Sequence, residues 1–164
     1  MGMTWSATAM DPARAAALLQ RSERIEEALY EREELRGGQD AYLDKAWHAI
    51  HFVLTGSAWA GEAPWAWAVL GGTPVGGDEA DSDWRHLPAE QVREVAQALA
   101  ALPPAEFAAR YDAQALADAQ IYPDVIWLRD GDEAKDYVLD YYAQLSGFYA
   151  AAAQRGDDVF ATIG

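Results

Sequence analysis

The sequence predicts an α+β fold: one mostly helical domain over residues 1–164, with a small mixed or antiparallel sheet that includes the N- and C-terminal strands. Three observations carry this. Residues 3–9 alternate, with Trp5, Ala7 and Ala9 on one side and Thr4, Ser6 and Thr8 on the other, and Val159 to Ile163 reads as a closing strand. Apolar residues recur at helical spacing at Val92, Val95, Ala96, Leu99 and Leu102, and again at Val138, Tyr141, Tyr142, Leu145, Phe148, Tyr149 and Ala152. The linkers between these stretches are too short to separate two domains.

After the first strand, Asp11-Pro12 marks a helix start, with Asp11 as N-cap and Pro12 at the first helical position. Ser22 caps a second, heavily charged helix with a narrow stripe of Ile25, Ala28, Leu29 and Leu35, ended by Gly37-Gly38. A third helix is expected from Asp40 to Leu54, closed by Gly56 as a C-terminal cap. Residues 57–87 are the least regular, with candidate strands at Trp65 to Leu70 and at Trp84 to Leu87. Helices resume from Pro88, stop at Pro103-Pro104, and restart through Phe107 and in a segment capped by Asp112 that Pro123 ends. Asp132 is expected to cap the last helix and Gly156 to end it.

Hydrophobic residues make up 51% of the chain and charged residues 24%, so the chain is globular rather than disordered. Twenty-seven acidic residues against twelve basic ones give a formal net charge of −15. That charge repels a phosphate backbone and an anionic membrane surface, so neither nucleic acid nor membrane is an expected partner. A basic protein would be attracted; more simply, the acidity keeps the chain soluble. With no cysteine, disulfides and thiolate chemistry are excluded. The N-terminus lacks a secretory pattern and no apolar run is long enough to span a bilayer, so a soluble, cytoplasmic protein is expected. Met1-Gly2 with Ser6 matches a myristoylation pattern formally, but it leads into a strand and is read as coincidence.

The segment Asp44 to Gly56 holds the candidate site. Read as one helix from Asp44, it places His48 at about +40°, His51 at about −20°, Thr55 at about +20° and Trp47 at about −60°. A carboxylate, two imidazoles, a hydroxyl and an indole on one face are site-building groups rather than solvating ones. His51 and Asp44 form a candidate catalytic pair, the imidazole as general base and the carboxylate fixing its tautomer. The other reading makes His51 a buried histidine bonded to the backbone or to Thr55. Trp47, His48, Thr55, Arg85, Tyr122 and Trp127 are the candidate ligand- or partner-binding residues.

No metal and no cofactor are expected. The two histidines lie three apart rather than in a His-Glu-x-x-His helix, and only His86 remains to complete a site. Gly71 to Gly77 has neither the Gly-Lys-Ser/Thr ending of a phosphate loop nor a Gly-x-Gly-x-x-Gly order, and Asp78 to Asp83 lacks the calcium-loop pattern. No Gly-x-Ser-x-Gly elbow supplies a nucleophile. Trp59, Trp65, Trp67 and Trp84 flank the irregular region and are either core residues or an aromatic recognition surface.

Over nearly its whole length the chain resembles the YfbM-like family of uncharacterised bacterial proteins. The resemblance runs through Met1-Gly2-Met3, Asp44 to Gly56, Ala68-Val69-Leu70-Gly71-Gly72, Leu87 to Val92, and Ile121-Tyr122-Pro123 with Trp127 downstream. It implies a compact α+β fold of intracellular bacterial origin and no particular reaction. Family members are similar to this chain at Asp44, Trp47 and His51, while His48 varies and can be an acid. Ser82-Asp83-Trp84 departs from the Gly-Pro-Ala-like turn expected before Arg85. The expected function is a non-enzymatic ligand- or protein-binding domain, for example an immunity-like inhibitor of a basic partner. The alternative is a small enzyme built on His51 and Asp44.

Overall fold

The computed structural model describes residues 2–20, Leu29, 39–75 and 83–164. Its first strand, β1 (Trp5–Met10), follows the alternation of the sequence and turns Trp5, Ala7 and Ala9 into the main core. In α1 (Pro12–Leu19), the Asp11 carboxylate accepts the Arg14 N–H at 3.0 Å, as its capping role requires. Of the expected charged helix from Ser22 to Gly38, only Leu29 is among the described residues, and it is helical and buried.

The expected helix from Asp40 to Leu54 is two elements, β2 (Asp40–Asp44) and α2 (Trp47–Thr55). Ser6, Ala7 and Thr8 of β1 pair with Tyr42, Ala41 and Asp40, which extends the backbone there. Asp44 then turns left-handed (φ 48°) and breaks the path before the helix begins. Four polar residues in a helical register, Asp44, His48, His51 and Thr55, suggest continuity, but strand pairing sets the boundary.

Trp65 to Leu70 is not a strand. After a turn it forms a short helix, α3 (Trp67–Leu70). Its carbonyls find side-chain partners in place of a ladder: Tyr149 Oη donates to Ala68 O at 2.7 Å and Trp5 Nε1 to Val69 O at 2.9 Å. The hairpin β3 (Thr73–Pro74) and β4 (Arg85–Leu87) follows, then α4 (Ala89–Ala100), α5 (Pro104–Arg110) and α6 (Ala113–Asp118). Asp112 caps α6 as expected, accepting from Gln114 N and Ala115 N. Next come α7 (Ile126–Arg129), α8 (Asp132–Arg155) and β5 (Asp158–Ile163). Gly131, not Asp132, holds the cap position of α8, so Asp132 lies in the first turn, where its charge faces the positive helix end. Gly56 and Gly156 end α2 and α8 in the left-handed conformation.

The strands form one antiparallel sheet in the order β2-β1-β5-β4-β3. The N- and C-terminal strands are neighbours, with Trp5 opposite Ile163 and Met10 opposite Asp158. One sheet face carries the main core, where α8 presents Ala134, Val138, Tyr142, Leu145, Tyr149 and Ala152 and packs along α4. Tyr142 stacks on Phe107 at 3.8 Å between centroids and donates to Leu102 O at 2.7 Å. The other face carries a smaller core of Ala15, Leu29, Val75, Trp84 and Phe160. Among the described residues no helix is long and apolar enough to cross a membrane.

Candidate functional site

The α2 helix is buried almost throughout: Trp47, His48 and His51 are 1%, 2% and 0% exposed. Its polar face therefore meets protein, not water. His48 Nδ1 accepts the backbone N–H of Tyr122 at 2.9 Å, so its proton must sit on Nε2, which donates to Ala58 O at 2.9 Å. His51 Nε2 donates to Ala60 O at 2.8 Å, and its Nδ1 lies buried with no hydrogen-bond partner among the described residues. Thr55 Oγ1 sits 2.9 Å from His51 O and 3.1 Å from Ser57 O and accepts the Ser57 N–H at 3.1 Å. Three side chains of one helix thus hold the loop that follows it.

That loop presents Trp59, which is 65% exposed. Its ring lies 4.4 Å from the His48 ring and 6.1 Å from Trp47. Trp47 also stacks against His48 at 4.9 Å and Tyr122 at 5.8 Å, and its indole N–H donates to Met3 O at 3.0 Å. Tyr122 Oη accepts the Met3 N–H at 2.8 Å. The result is an exposed aromatic ring on a rigid aromatic base.

The residues singled out in the sequence divide into three groups. Trp47, His48, His51, Thr55 and Tyr122 come together in this platform. Asp44 does not join it. Its carboxylate accepts from Tyr137 Oη at 2.7 Å and Tyr42 Oη at 3.2 Å, while the Tyr137 hydroxyl also accepts the Lys45 N–H. Burial first, and Asp44 second, push the Tyr137 pKa up and keep it a donating phenol. The role of Asp44 as an orienting partner of His51 is therefore corrected: the left-handed turn at Asp44 carries it out of the helix and onto α8. Arg85 lies on β4 beside a different cleft, and Trp127 is wholly buried, its indole donating to Ile121 O at 2.8 Å to brace the turn that offers Tyr122. Of the four loop tryptophans, Trp84 is buried in the smaller core, and Trp65 and Trp67 are half-buried.

Sequence reasoning missed a second pair. His86 Nε2 donates to Asp158 Oδ2 at 2.7 Å, and Asp158 Oδ1 accepts the Ala89 N–H at 2.8 Å. Asp158 thereby caps α4 from another element, since Pro88 at the cap position offers no side-chain oxygen. No local pattern announces this pair, because only the pairing of β4 with β5 brings His86 and Asp158 together. Among the described residues, no group of three or more His, Asp or Glu side chains gathers as a metal site would require.

Burial lowers the pKa of both helix histidines, outweighing the acceptor carbonyls of Ala58 and Ala60 that raise them; His48 lowers His51 further. The unfolded chain takes up protons near the ordinary value of 6.5, before the folded protein does. The stability from these two groups is therefore fully present above that value and is lost as pH falls through the folded pKa values. Urea unfolding from pH 8 to pH 5 should show stability falling with acidification, more steeply in the wild type than in a His48→Gln/His51→Gln double variant. Parallel profiles would contradict the assignment.

Fold and site together define a class: a helix-rich α+β domain with a histidine-held aromatic loop. The chain belongs to the DUF1877 family, a domain of unknown function, whose model matches residues 1–162. It is similar to the crystal structure of YfbM, a protein of unknown function from Escherichia coli, with a TM-score of 0.69 and 20% identity over 98% of this chain and 99% of that one. The likeness establishes the shared fold. No curated protein matches the chain.

Proposed function

We propose that this chain is a non-enzymatic cytoplasmic binding domain whose contact surface is the Trp59 platform and whose partner is a basic protein, in the manner of an immunity-like inhibitor. The exposure of Trp59 on a fixed base of His48 and Trp47 carries the reading. Tryptophan is enriched at binding hot spots, and a ring already held in place loses little freedom on binding. The segments bearing Trp59 and Tyr122 also carry exposed Glu62 and Asp124, and the whole chain is at −15. Exposed acidic side chains on the segments that bear an exposed aromatic ring suit an arginine- or lysine-bearing surface.

Catalysis by His51 draws no support from this arrangement. Its Nε2 proton is committed to Ala60 O, its Nδ1 is enclosed, and Asp44 is engaged elsewhere. A general base must reach its substrate, and this one has no path to one without releasing the loop.

The test is interferometry against a panel of basic and acidic proteins and peptides. Binding restricted to basic members, weakened by salt, and reduced about thirtyfold by Trp59→Ala is expected for a hot-spot tryptophan. Equal binding by Trp59→Ala, or preference for acidic partners, would refute the proposal.

A further inference from the structure

We infer that the cleft between α3, the β3–β4 hairpin and the end of β5 binds a small carboxylate with an apolar body, its charge seated on Arg85. The cleft has a volume of about 310 Å3, opens to solvent, and shares no residue with the Trp59 platform. That volume is at the low end for ligand sites and suits a metabolite-sized molecule rather than a peptide.

The walls set the chemistry. Leu70 and Ile163, both half-buried, supply the aliphatic surface, over a floor of Val69, Ala161 and Trp5 that is almost wholly buried and braced by the bond from Trp5 to Val69 O. Arg85 is the cation in this lining. One guanidinium N–H, on Nη1, donates to Gly72 O at 3.2 Å, and the remaining donors form the fork that carboxylates fit. Among the described residues no carboxylate lies within ion-pair distance of Arg85, although acids outnumber bases 27 to 12 in the chain. In so acidic a protein, an arginine with no acidic partner among the described residues, at the mouth of a cleft with both apolar and polar walls, is a specific feature.

The seat is also rigid. A Cβ on Gly72 would lie 2.9 Å from Leu87 Cδ1 and 3.1 Å from Arg85 Cβ, so the bare backbone is pressed against β4 with its carbonyl on the guanidinium. The surrounding negative field opposes anions. A ligand must therefore carry no more than one negative charge and gain its affinity chiefly from burying an apolar body. Asp83, on the same lining, would receive an ammonium group if the ligand has one. An apolar amino acid and a simple apolar acid thus share the Arg85 contact and differ at Asp83.

Methyl and indole NMR titrations with 4-methylpentanoate, phenylacetate, leucine and isopentylamine test this. At about 10 mM, which saturates a site of Kd about 1 mM, at least one carboxylate should shift the Val69, Leu70 and Ile163 methyls and the Trp5 indole. Isopentylamine should not. Arg85→Gln, at an exposed position that leaves the core intact, should weaken carboxylate binding about tenfold or more. Asp83→Asn should strengthen 4-methylpentanoate and weaken leucine if the ammonium is part of the ligand, and should strengthen both if it is not. Silence of those residues toward every carboxylate, equal binding of the amine, or an unchanged affinity in Arg85→Gln would overturn the inference.

Discussion

Trp47→Ala should destabilise the protein by about 3–5 kcal/mol, the cost of truncating a fully buried aromatic side chain. The ring is 1% exposed, stacks on both His48 and Tyr122, and its indole N–H holds Met3 O. Its removal leaves a void at the meeting point of α2, the Trp59 loop, the Tyr122 turn and the chain start. Urea unfolding measures the loss, and the fluorescence of Trp59 should move toward that of solvated indole. Trp47→Phe separates the contributions: it keeps most of the stacking but strands the Met3 carbonyl, and should cost about 1–3 kcal/mol. A loss under about 1 kcal/mol for the alanine variant would mean that the platform does not depend on its base.

Gly71→Ala should be as damaging, although it adds a single carbon. The backbone at Gly71 is extended (φ −81°, ψ −179°) and suits any residue, so the cost is one of space. The new Cβ would lie 2.3 Å from Trp67 Cα and 2.7 Å from Trp67 O, both backbone atoms that cannot turn aside. Either α3 or the β3–β4 hairpin must move, and with it the bonds from Trp5 to Val69 and from Tyr149 to Ala68. A loss of about 3 kcal/mol or more is expected, in the range that overpacking reaches at its upper end. Gly147→Ala is the matched control. In mid-α8 its Cβ would meet nothing within 4 Å, and helix propensity alone should make it stabilising by about 0.5–1 kcal/mol. Similar unfolding midpoints for the two variants would show that the contact at Trp67 is not a constraint.

Where structure depends on neighbours in sequence, it was legible. Asp11, Asp112, Gly56 and Gly156 announce the ends of their helices because capping is a matter of one side chain or one φ angle. The first strand shows in its alternation, and the last, read from Val159 to Ile163, spans Asp158–Ile163. The boundary at Asp44 was hidden because Asp40 to Leu43 can satisfy a helical pattern, and only pairing with β1 extends them. Trp65 to Leu70 misled for the converse reason, since its alternation is real but its carbonyls are claimed by Trp5 and Tyr149 from far along the chain.

The candidate site was legible in membership more than in meaning. Trp47, His48, His51 and Thr55 do share one environment, as their spacing required. Their partners, however, are backbone groups at 57–60 and at Tyr122, and backbone groups have no signature in a sequence. The same limit concealed Asp158, which reaches His86 and the start of α4 only through sheet register.

The sheet order has a consequence for how the protein is made. Translation delivers β1 and β2 early, β3 and β4 midway, and β5 last, yet β5 belongs between β1 and β4. Until it arrives the nascent chain holds two separate two-stranded ribbons, each too small to persist alone and each offering a bare edge to other chains. Insertion of one late strand then welds both halves at once. A chain truncated before β5 is therefore expected to leave both ribbons unjoined and their edges bare, a state prone to aggregation.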